Sequence, residues 1–400
     1  MLVLTRMPST SKLPLFREET ESQGDTTTTM ALSLLEQLAR LLAPASRHLI
    51  LLPEFSEHIR LRSRADLVAS AAALARLIRM HNVRACDIVA DRYAMQNAFA
   101  FIPEASSILT TIPERTTHTL TFTVAPSTAP IDPASIATNA TQLQYDTIWI
   151  LGAHDRKALG RIAQDHQMLL DHTPTVVIDT AFANDRSGAV NLIDPTAASL
   201  SEIIGITARE LSPAWYTAEN ATLMLTGILG RTHSFRSHTM NERTFKLVAN
   251  LINDGASREV IVDHLFRQRS IAMLRLWGEV LTRMQHDATR TFATVTLTQD
   301  IFAATGCAPE WLGEITDEIL ASSPEINLCV VVYTHPEHRD ETQVLATSTR
   351  SVHAREALAL FGAIGNATAA TARITAPLTT MHDRVHAELI RSLVPDEGKW

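Results

Sequence analysis

The sequence predicts an α/β protein, with a mostly parallel sheet domain, a helical connector and a second, smaller α/β domain. Its 400 residues exceed what one ordinary hydrophobic core supports, which favours two domains. Up to about residue 240, short apolar runs alternate with helical patterns. Such alternation is typical of parallel sheets whose strands are joined by helices. After that point the pattern becomes helical and then mixed, which predicts the connector and the second domain.

Residues 31–240 contain the strand candidates of the first domain. The apolar runs are HLILLP (48–53), DIVAD (87–91), LTFTVAP (120–126), DTIWILG (146–152) and TVVID (175–179). The stretch SRADLVASAAALARLIRMHN, which follows the first run, has the apolar spacing of a helix. Residues 1–30 lack the apolar core of a signal peptide and predict a flexible N-terminal tail.

The connector is predicted over residues 241–285 and the second domain over residues 286–400. RTFKLVANLIND predicts one helix, and REVIVDHLFRQRSIAMLRLWGEVLTRM predicts a single long amphipathic helix. In the second domain, TFATVTLT and NLCVVVYTH are strand candidates and AREALALFGA is a helix candidate.

Composition excludes several classes of protein. A net charge of −8 argues against broad electrostatic binding to nucleic acid. The cysteines, Cys86, Cys307 and Cys329, lie far apart and predict neither a disulfide framework nor a zinc ribbon. No apolar run approaches the roughly 20 residues that span a bilayer. We therefore expect a cytoplasmic protein that does not bind membranes.

The stretch GAVNLIDPTAASLSEIIG (188–205) is the most distinctive in the chain. It resembles the segment NLVDPxASSTAEI that follows the signature motif of DHH-family phosphoesterases. The matching residues are Asp194, Pro195, Ala197, Ser199 and Glu202.

The signature motif of that family, Asp-His-His-x-x-Asn, aligns with DTAFAN. The chain keeps Asp179 and Asn184, but it has Thr180 and Ala181 where the family has histidines.

Two later stretches complete the resemblance. LTGILGRTHSFRSHTMNERTFKLVANLINDGA (225–256) is similar to the family's GIxTDTGxFxxxxxTxRTxxxAAxLxxxGA. STRSVHAREALALFGAIGNATAATARI (348–374) is similar to the RS…FGGGGHxxAAG element of the attached DHHA1 domain. The four elements occur in the family's order, and the resemblance is greatest to the group that contains oligoribonucleases and bisphosphonucleotide phosphatases. It implies a DHH-like domain followed by a DHHA1-like domain.

Active members of the family hold two divalent ions, usually manganese, and the resemblance allows each ligand position to be checked. The first motif, HxNPDxDxxGSAL, aligns with RLRSRADLVASAA, which has Arg60 and Arg64 at ligand positions and keeps only Asp66. The bridging aspartate corresponds to Gly152, and the aspartate of TDTG corresponds to Arg231.

The resemblance therefore predicts a degenerate site, without catalytic residues or a metal, in which Asp66 and Asp179 are remnants. Arginine keeps its proton and offers no acceptor, so it repels a divalent cation. We expect Arg64 and Arg231 to point into the former metal space and to pair with Asp66 and Asp179. The residues expected to bind a phosphate, a nucleotide or a short RNA are Arg60, Arg64, Arg231, Arg350, Ser351 and Asn366.

The phosphate-binding loop GGGGH of the family is GAIGN here (362–366). Glycines permit positive φ and a close approach of the backbone to phosphate. Because Ile364 is β-branched, it tolerates positive φ poorly, and we expect this loop to be altered.

Three hypotheses remain open. The leading one is a pseudoenzyme that needs no cofactor and retains a ligand-binding cleft or a regulatory, partner-binding role. The second is an active, manganese-dependent phosphodiesterase or phosphatase with unusual ligands drawn from Asp66, His154, Asp155 and Asp179. The third is a structural subunit of a larger assembly. A homodimer, or a protein partner that the sequence does not identify, is compatible with all three.

Overall fold

The computed structural model describes most of the chain. The described residues are 33–42, 44–55, 61–81, 83–113, 145–237, 239–267, 270–287, 291–335, 341–349, 352–365 and 367–393. The predicted tail and the predicted strand at 120–126 lie outside these ranges.

The first domain contains a five-stranded parallel sheet. Its strands are β1 (Arg47–Leu52), β2 (Ala85–Ala90), β3 (Thr147–Leu151), β4 (Thr175–Asp179) and β5 (Val190–Ile193). They lie side by side in the order β2-β1-β3-β4-β5, and all neighbouring pairs are parallel. Four of the predicted apolar runs coincide with β1 to β4. The predicted α/β class is confirmed.

Helices cover both faces of this sheet. They are α1 (Leu34–Leu41), α2 (Leu61–Arg79), α3 (Arg161–Asp165), α4 (Gln167–His172), α5 (Leu200–Leu211) and α6 (Ala218–Arg231). On one face, α2, α5 and α6 pack together over the larger hydrophobic core. Residues around α3 and α4 cover the other face. All five strands point their carboxyl ends to one edge, where α2 and α5 begin.

The stretch predicted as a connector contains three helices, which are α7 (Glu242–Asn253), α8 (Arg258–Leu265) and α9 (Ile271–Arg283). α7 and α8 contribute to the larger core beside the first sheet, and α9 contributes to a core of the second sheet. The prediction of one long helix after Ser257 is wrong. The first part ends at Leu265, and Ser270 then starts a new helix, because its hydroxyl accepts a hydrogen bond from the Met273 amide at 3.1 Å.

The second domain has a six-stranded mixed sheet. Its strands are β6 (Gln285–Asp287), β7 (Phe292–Leu297), β8 (Leu328–Thr334), β9 (Thr342–Ser348), β10 (Ile364–Gly365) and β11 (Ala369–Ile374). They lie in the order β10-β11-β9-β8-β7-β6, and only β7 and β8 are parallel. The helices of this domain are α10 (Gln299–Thr305), α11 (Leu312–Ser322), α12 (Ala354–Ala357) and α13 (Leu378–Ser392).

Separate cores cover the two faces of the second sheet. α9, α10 and α11 contribute to one, and α12 and α13 contribute to the other. Across the described residues, no helix has both the length and the apolar character that a bilayer crossing requires.

Candidate functional site

The residues that the sequence singles out in the first domain meet at the carboxyl edge of its sheet. Gly152 follows β3, Asp179 is the last residue of β4, and Asp66 lies in the second turn of α2, which begins after β1. Ligands of open parallel sheets bind at this edge. The structure therefore brings these motif residues together at one edge of the sheet.

Asp66 is a buried carboxylate that holds the start of α5. It accepts hydrogen bonds from the Leu200 amide at 2.9 Å, from the Ser201 amide at 3.1 Å and from the Ser201 hydroxyl at 2.9 Å. Ser70 contributes a longer hydrogen bond of 3.3 Å. Amides at a helix start lack partners within the helix, so Asp66 satisfies them from another element.

The pKa of Asp66 is raised because burial disfavours the charged form. The hydrogen bonds from Leu200 and Ser201 oppose this rise, and so does the positive charge of Arg231. Gly227 of α6 packs directly on this group, because a Cβ there would lie only 1.8 Å from the Ser201 hydroxyl and 2.6 Å from Asp66 Oδ1. The oxygens of Asp66 are thus enclosed by α5 and α6.

Apolar side chains fill the space beside Gly152, the residue that the resemblance aligns with the family's bridging aspartate. The φ of Gly152 is +67°, a conformation that favours glycine. A Cβ at this position would lie 2.8 Å from Leu67 Cδ2 and 2.9 Å from Leu200 Cδ1. Both leucines are buried. An aspartate side chain therefore has no room here without displacing packed methyl groups.

Asp179 and Asn184 are hydrogen-bonded to each other at the end of β4, and we call this pair the latch. Asn184 Nδ2 donates to Asp179 Oδ2 at 2.8 Å and to the Ala153 carbonyl at 3.2 Å, while the Thr180 amide donates to Asp179 Oδ1 at 2.7 Å. The latch ties the loop after β4 to the loop after β3. The same loop displays Phe182, whose side chain is 91% exposed.

The distinctive motif around Asp194 forms a buried polar network. Arg243 of α7 lies 2.7 Å from Asp194 and 2.6 Å from Glu202, which is fully buried in α5. Burial raises the pKa of Asp194, but hydrogen bonds from Thr196 and the nearby Arg243 charge outweigh it and leave the pKa below its usual value. The hydroxyl of Thr244 donates to Glu202 at 2.9 Å. These matched residues join α5 to α7 and are structural.

The two described arginines of the predicted cluster do not form the expected ion pairs. Arg231 is exposed at the end of α6, and Arg64 is half-buried with its guanidinium carbon 5.8 Å from the centre of the Phe55 ring. The hydrogen bonds described for Asp66 and Asp179 come from amides, hydroxyls and an asparagine. The direct hydrogen bonds to both carboxylates therefore come from helix-start and loop donors, whereas Arg231 acts on Asp66 through its charge, which lowers the pKa of Asp66.

The other predicted ligand-binding residues, Arg60, Arg350, Ser351 and Asn366, lie outside the described residues. The loop before Asn366 is described. Gly362 and Gly365 have positive φ, whereas Ile364 lies in β10 and pairs with Thr371 of β11. The β-branched residue thus takes up strand backbone between two glycines that supply the turns, and its side chain is 65% exposed.

The unusual ligands of the second hypothesis are not gathered into one site. Asp155 starts a short helical turn, since its carboxylate accepts from the Ala158 amide at 2.9 Å. His154 lies 3.7 Å from Asp155 and is largely exposed. Throughout the described part of the chain, no three His, Cys, Asp or Glu side chains are placed to hold a metal ion.

Sequence reasoning overlooked Asp91, the aspartate that follows β2. It is 1% exposed, and it binds the Arg161 side chain at 2.8 Å and the Arg161 amide at 3.0 Å. Hydrogen bonds from Arg161 lower the pKa of Asp91. The signal was present in the run DIVAD, which ends in an acid at the carboxyl edge. Asp91 anchors the segment after β3 at this edge.

No protein-family model matches the chain. It is 32% identical over 105 residues to the bifunctional oligoribonuclease and PAP phosphatase NrnA of Thermus thermophilus. That match covers 26% of this chain and spans about a third, 32%, of the relative's length.

Among solved structures, an exopolyphosphatase-related protein from Bacteroides fragilis superposes with a TM-score of 0.71. The likeness covers 92% of this chain and 97% of that chain at 14% sequence identity, which establishes a shared fold. A pGpG-specific phosphodiesterase from Vibrio cholerae is also similar, over 87% of this chain and 98% of that chain at 11% identity. Its TM-score of 0.37 is too low to support an argument.

Proposed function

We propose that this chain, a DHH-family phosphoesterase-like protein in its motifs and its fold, is a pseudoenzyme that has lost two-metal hydrolysis and keeps a cleft for phosphate-containing ligands. One observation carries the proposal. Where the resemblance places the bridging aspartate, the chain has Gly152 in a left-handed conformation, with Leu67 and Leu200 packed against it.

The residues at this edge do not fit a pair of manganese ions. Two ions held close together need several hard oxygen or imidazole ligands with free lone pairs. Asp66 is the one retained ligand position, and its oxygens accept hydrogen bonds from Leu200, Ser201 and Ser70. Leucine methyl groups beside Gly152 supply no ligand. We therefore derive no catalytic step through a metal.

Ligand binding is the activity that the remaining chemistry supports. Arg231 and Arg64 place positive charge near the carboxyl edge, and arginine suits phosphate oxygens because its donors form a planar fork. The similar protein of Thermus thermophilus is an oligoribonuclease and PAP phosphatase, so short RNA and PAP are the first ligands to test. The free thiols Cys86, Cys307 and Cys329 fit the cytoplasmic setting that we propose for this role.

Hydrolysis and metal binding test the loss of catalysis. Purified protein is incubated with short RNA or PAP and millimolar manganese, with an active phosphoesterase as positive control. We expect no product above the protein-free blank and no saturable manganese binding by calorimetry. Manganese-dependent turnover that Asp66→Asn removes, while the variant keeps its circular dichroism spectrum, would overturn the proposal in favour of an active enzyme with unusual ligands.

Binding without metal tests the retained cleft. We expect short RNA or PAP to bind in the presence of EDTA, and Arg231→Ala to weaken binding by roughly tenfold, the effect of losing about 1.4 kcal/mol. Arg258→Ala is the matched control, because Arg258 is also an exposed helix-end arginine but lies in the connector. If neither ligand binds, the proposal of a retained cleft fails, and the hypothesis of a structural subunit in a larger assembly is favoured.

A further inference from the structure

The outward face of α9 is unusually apolar for an exposed helix surface. Its inward face lies in the core of the second domain and consists of Met273, Leu276 and Val280. Its outward face carries three large aliphatic side chains with high exposed fractions, which are Ile271 (70%), Leu274 (52%) and Leu281 (49%). A contiguous exposed stripe of this kind marks a contact surface.

The spacing of this stripe is that of a helix pair. Ile271, Leu274, Gly278 and Leu281 follow one another at intervals of three, four and three residues, as core positions do in coiled coils. Gly278 forms a hollow in the stripe, because nothing lies within 4 Å of a Cβ built at this position. The stripe therefore offers three protruding side chains and one gap.

We propose that α9 is a two-fold interface between two copies of this chain, with the two α9 helices antiparallel and crossing at the level of Leu276. In this register Leu274 of each copy faces the hollow at Gly278 of the other, and Ile271 faces Leu281. Both facing pairs share the same centre, so a single two-fold axis satisfies them together. A two-fold interface must be self-complementary in this way.

A parallel pair satisfies the stripe less well. In that arrangement Leu274 meets Leu274 and Gly278 meets Gly278, which leaves a cavity at the glycine layer.

The position of α9 leaves this side accessible within the described residues. α9 leads directly into β6, the last strand in the order of the second sheet, and β6 pairs only with β7. Three partly exposed aliphatic side chains per copy bury less than the roughly 800 Å² per partner of a standard interface. We therefore expect a weak dimer, with a dissociation constant on the order of micromolar.

Sedimentation of the full chain across a concentration series tests the interface. We expect a monomer–dimer equilibrium, with Leu274→Glu raising the dissociation constant at least about tenfold because it buries charge at the crossing. Ile252→Glu is the matched control, since Ile252 is a 50% exposed aliphatic residue on the separate helix α7. It should leave the equilibrium unchanged. A chain that stays monomeric at the highest concentration, or a dimer indifferent to Leu274→Glu, contradicts the proposal.

Disulfide cross-linking tests the register. An Ile271→Cys chain mixed with a Leu281→Cys chain should form a mixed dimer, because these positions face each other. Ile271→Cys alone should not cross-link, since its two copies lie about 15 Å apart along the antiparallel axis. Cross-linking between two Ile271→Cys chains would show a parallel pair and refute the register. The chain could instead be a monomer in which its own residues 1–32 cover α9. In that case removing residues 1–32 would reduce the protection of α9 from hydrogen exchange, and this result would refute the interface. The pseudoenzyme proposal is independent of each of these outcomes.

Discussion

Adding one methyl group at Gly152 tests whether the space beside Gly152 is closed, as the proposed loss of catalysis requires. Gly152→Ala forces a non-glycine residue into φ +67°, which costs roughly 1–2 kcal/mol. The new Cβ also lies within 3 Å of methyl groups on Leu67 and Leu200. These methyls end flexible side chains, but both leucines are buried, so we add roughly 1–3 kcal/mol for overpacking. The expected loss of stability is about 2–5 kcal/mol.

Gly313→Ala is the matched control for this change. Gly313 lies in α11, and nothing lies within 4 Å of a Cβ built there. Alanine has the higher helix propensity, so this variant should gain up to about 1 kcal/mol. The two glycine-to-alanine changes are thus expected to act with opposite signs.

Urea unfolding followed by tryptophan fluorescence measures both variants. With a slope of about 2–3 kcal/mol per molar urea, Gly152→Ala should lower the midpoint of the first domain by roughly 1 M or more. Gly152→Asp should be destabilised at least as much and should bind no manganese. If Gly152→Asp is as stable as the natural chain and binds manganese, the space is open and the argument for lost catalysis is refuted.

Three further predictions concern buried polar groups. Asp66→Asn removes one acceptor oxygen from the start of α5, so we expect a loss of about 1–3 kcal/mol in urea unfolding; an unchanged midpoint would contradict the capping role. Burial lowers the pKa of His48 to about 4, which means that folding favours the neutral ring, so stability present above pH 6.5 is lost as the pH falls toward 4. We expect the free energy of unfolding to fall by roughly 2 kcal/mol between pH 7 and pH 5 because of this group, and His48→Gln should reduce that fall. An equal fall in the natural chain and in His48→Gln would refute the prediction. Asn184→Ala opens the latch on the loop after β4, so chymotrypsin should cleave after Phe182 roughly tenfold faster, while an unaltered rate would show that other contacts hold the loop.

The hydrogen bond from Trp149 fixes the tautomer of the neutral His48 ring. The indole of Trp149 can only donate, and it lies 3.1 Å from His48 Nδ1, so Nδ1 is the acceptor. The proton is then on Nε2, which lies 2.6 Å from the Ser46 hydroxyl. Protonating Nδ1 would also remove the bond to Trp149, a loss that adds to the cost that burial imposes on the charged ring.

The sequence by itself determined the fold class and the strands β1 to β4 of the first domain, whereas β5 (Val190–Ile193) was not among the predicted strands. Apolar runs of strand length, joined by helical patterns, leave few arrangements other than a parallel sheet covered by helices. The motif around Asp194 was also readable, because its residues match as a contiguous pattern. The helices after residue 241 were predicted less well, since no glycine or proline marks the end of α8 at Leu265.

Residue identity alone also showed where the chain differs from the family's motifs. It could not show which side chains surround those positions. The expected pairing of Arg64 and Arg231 with Asp66 and Asp179 followed from charge, but the hydrogen bonds to both carboxylates come from nearer donors, and Arg231 acts on Asp66 only through its charge. A buried carboxylate is stabilised by whichever donors lie closest, and charge in the sequence does not report that distance.

Only the tertiary structure decided the role of Asp66 and the closure beside Gly152. Asp66 and its partners Leu200 and Ser201 are separated by 134 and 135 residues in the chain. The packing of α2 against α5 brings them together and presses Leu67 and Leu200 onto Gly152. Local patterns set where helices and strands form, whereas contacts between distant residues are set by how those elements pack, and the chemistry at this edge depends on the latter.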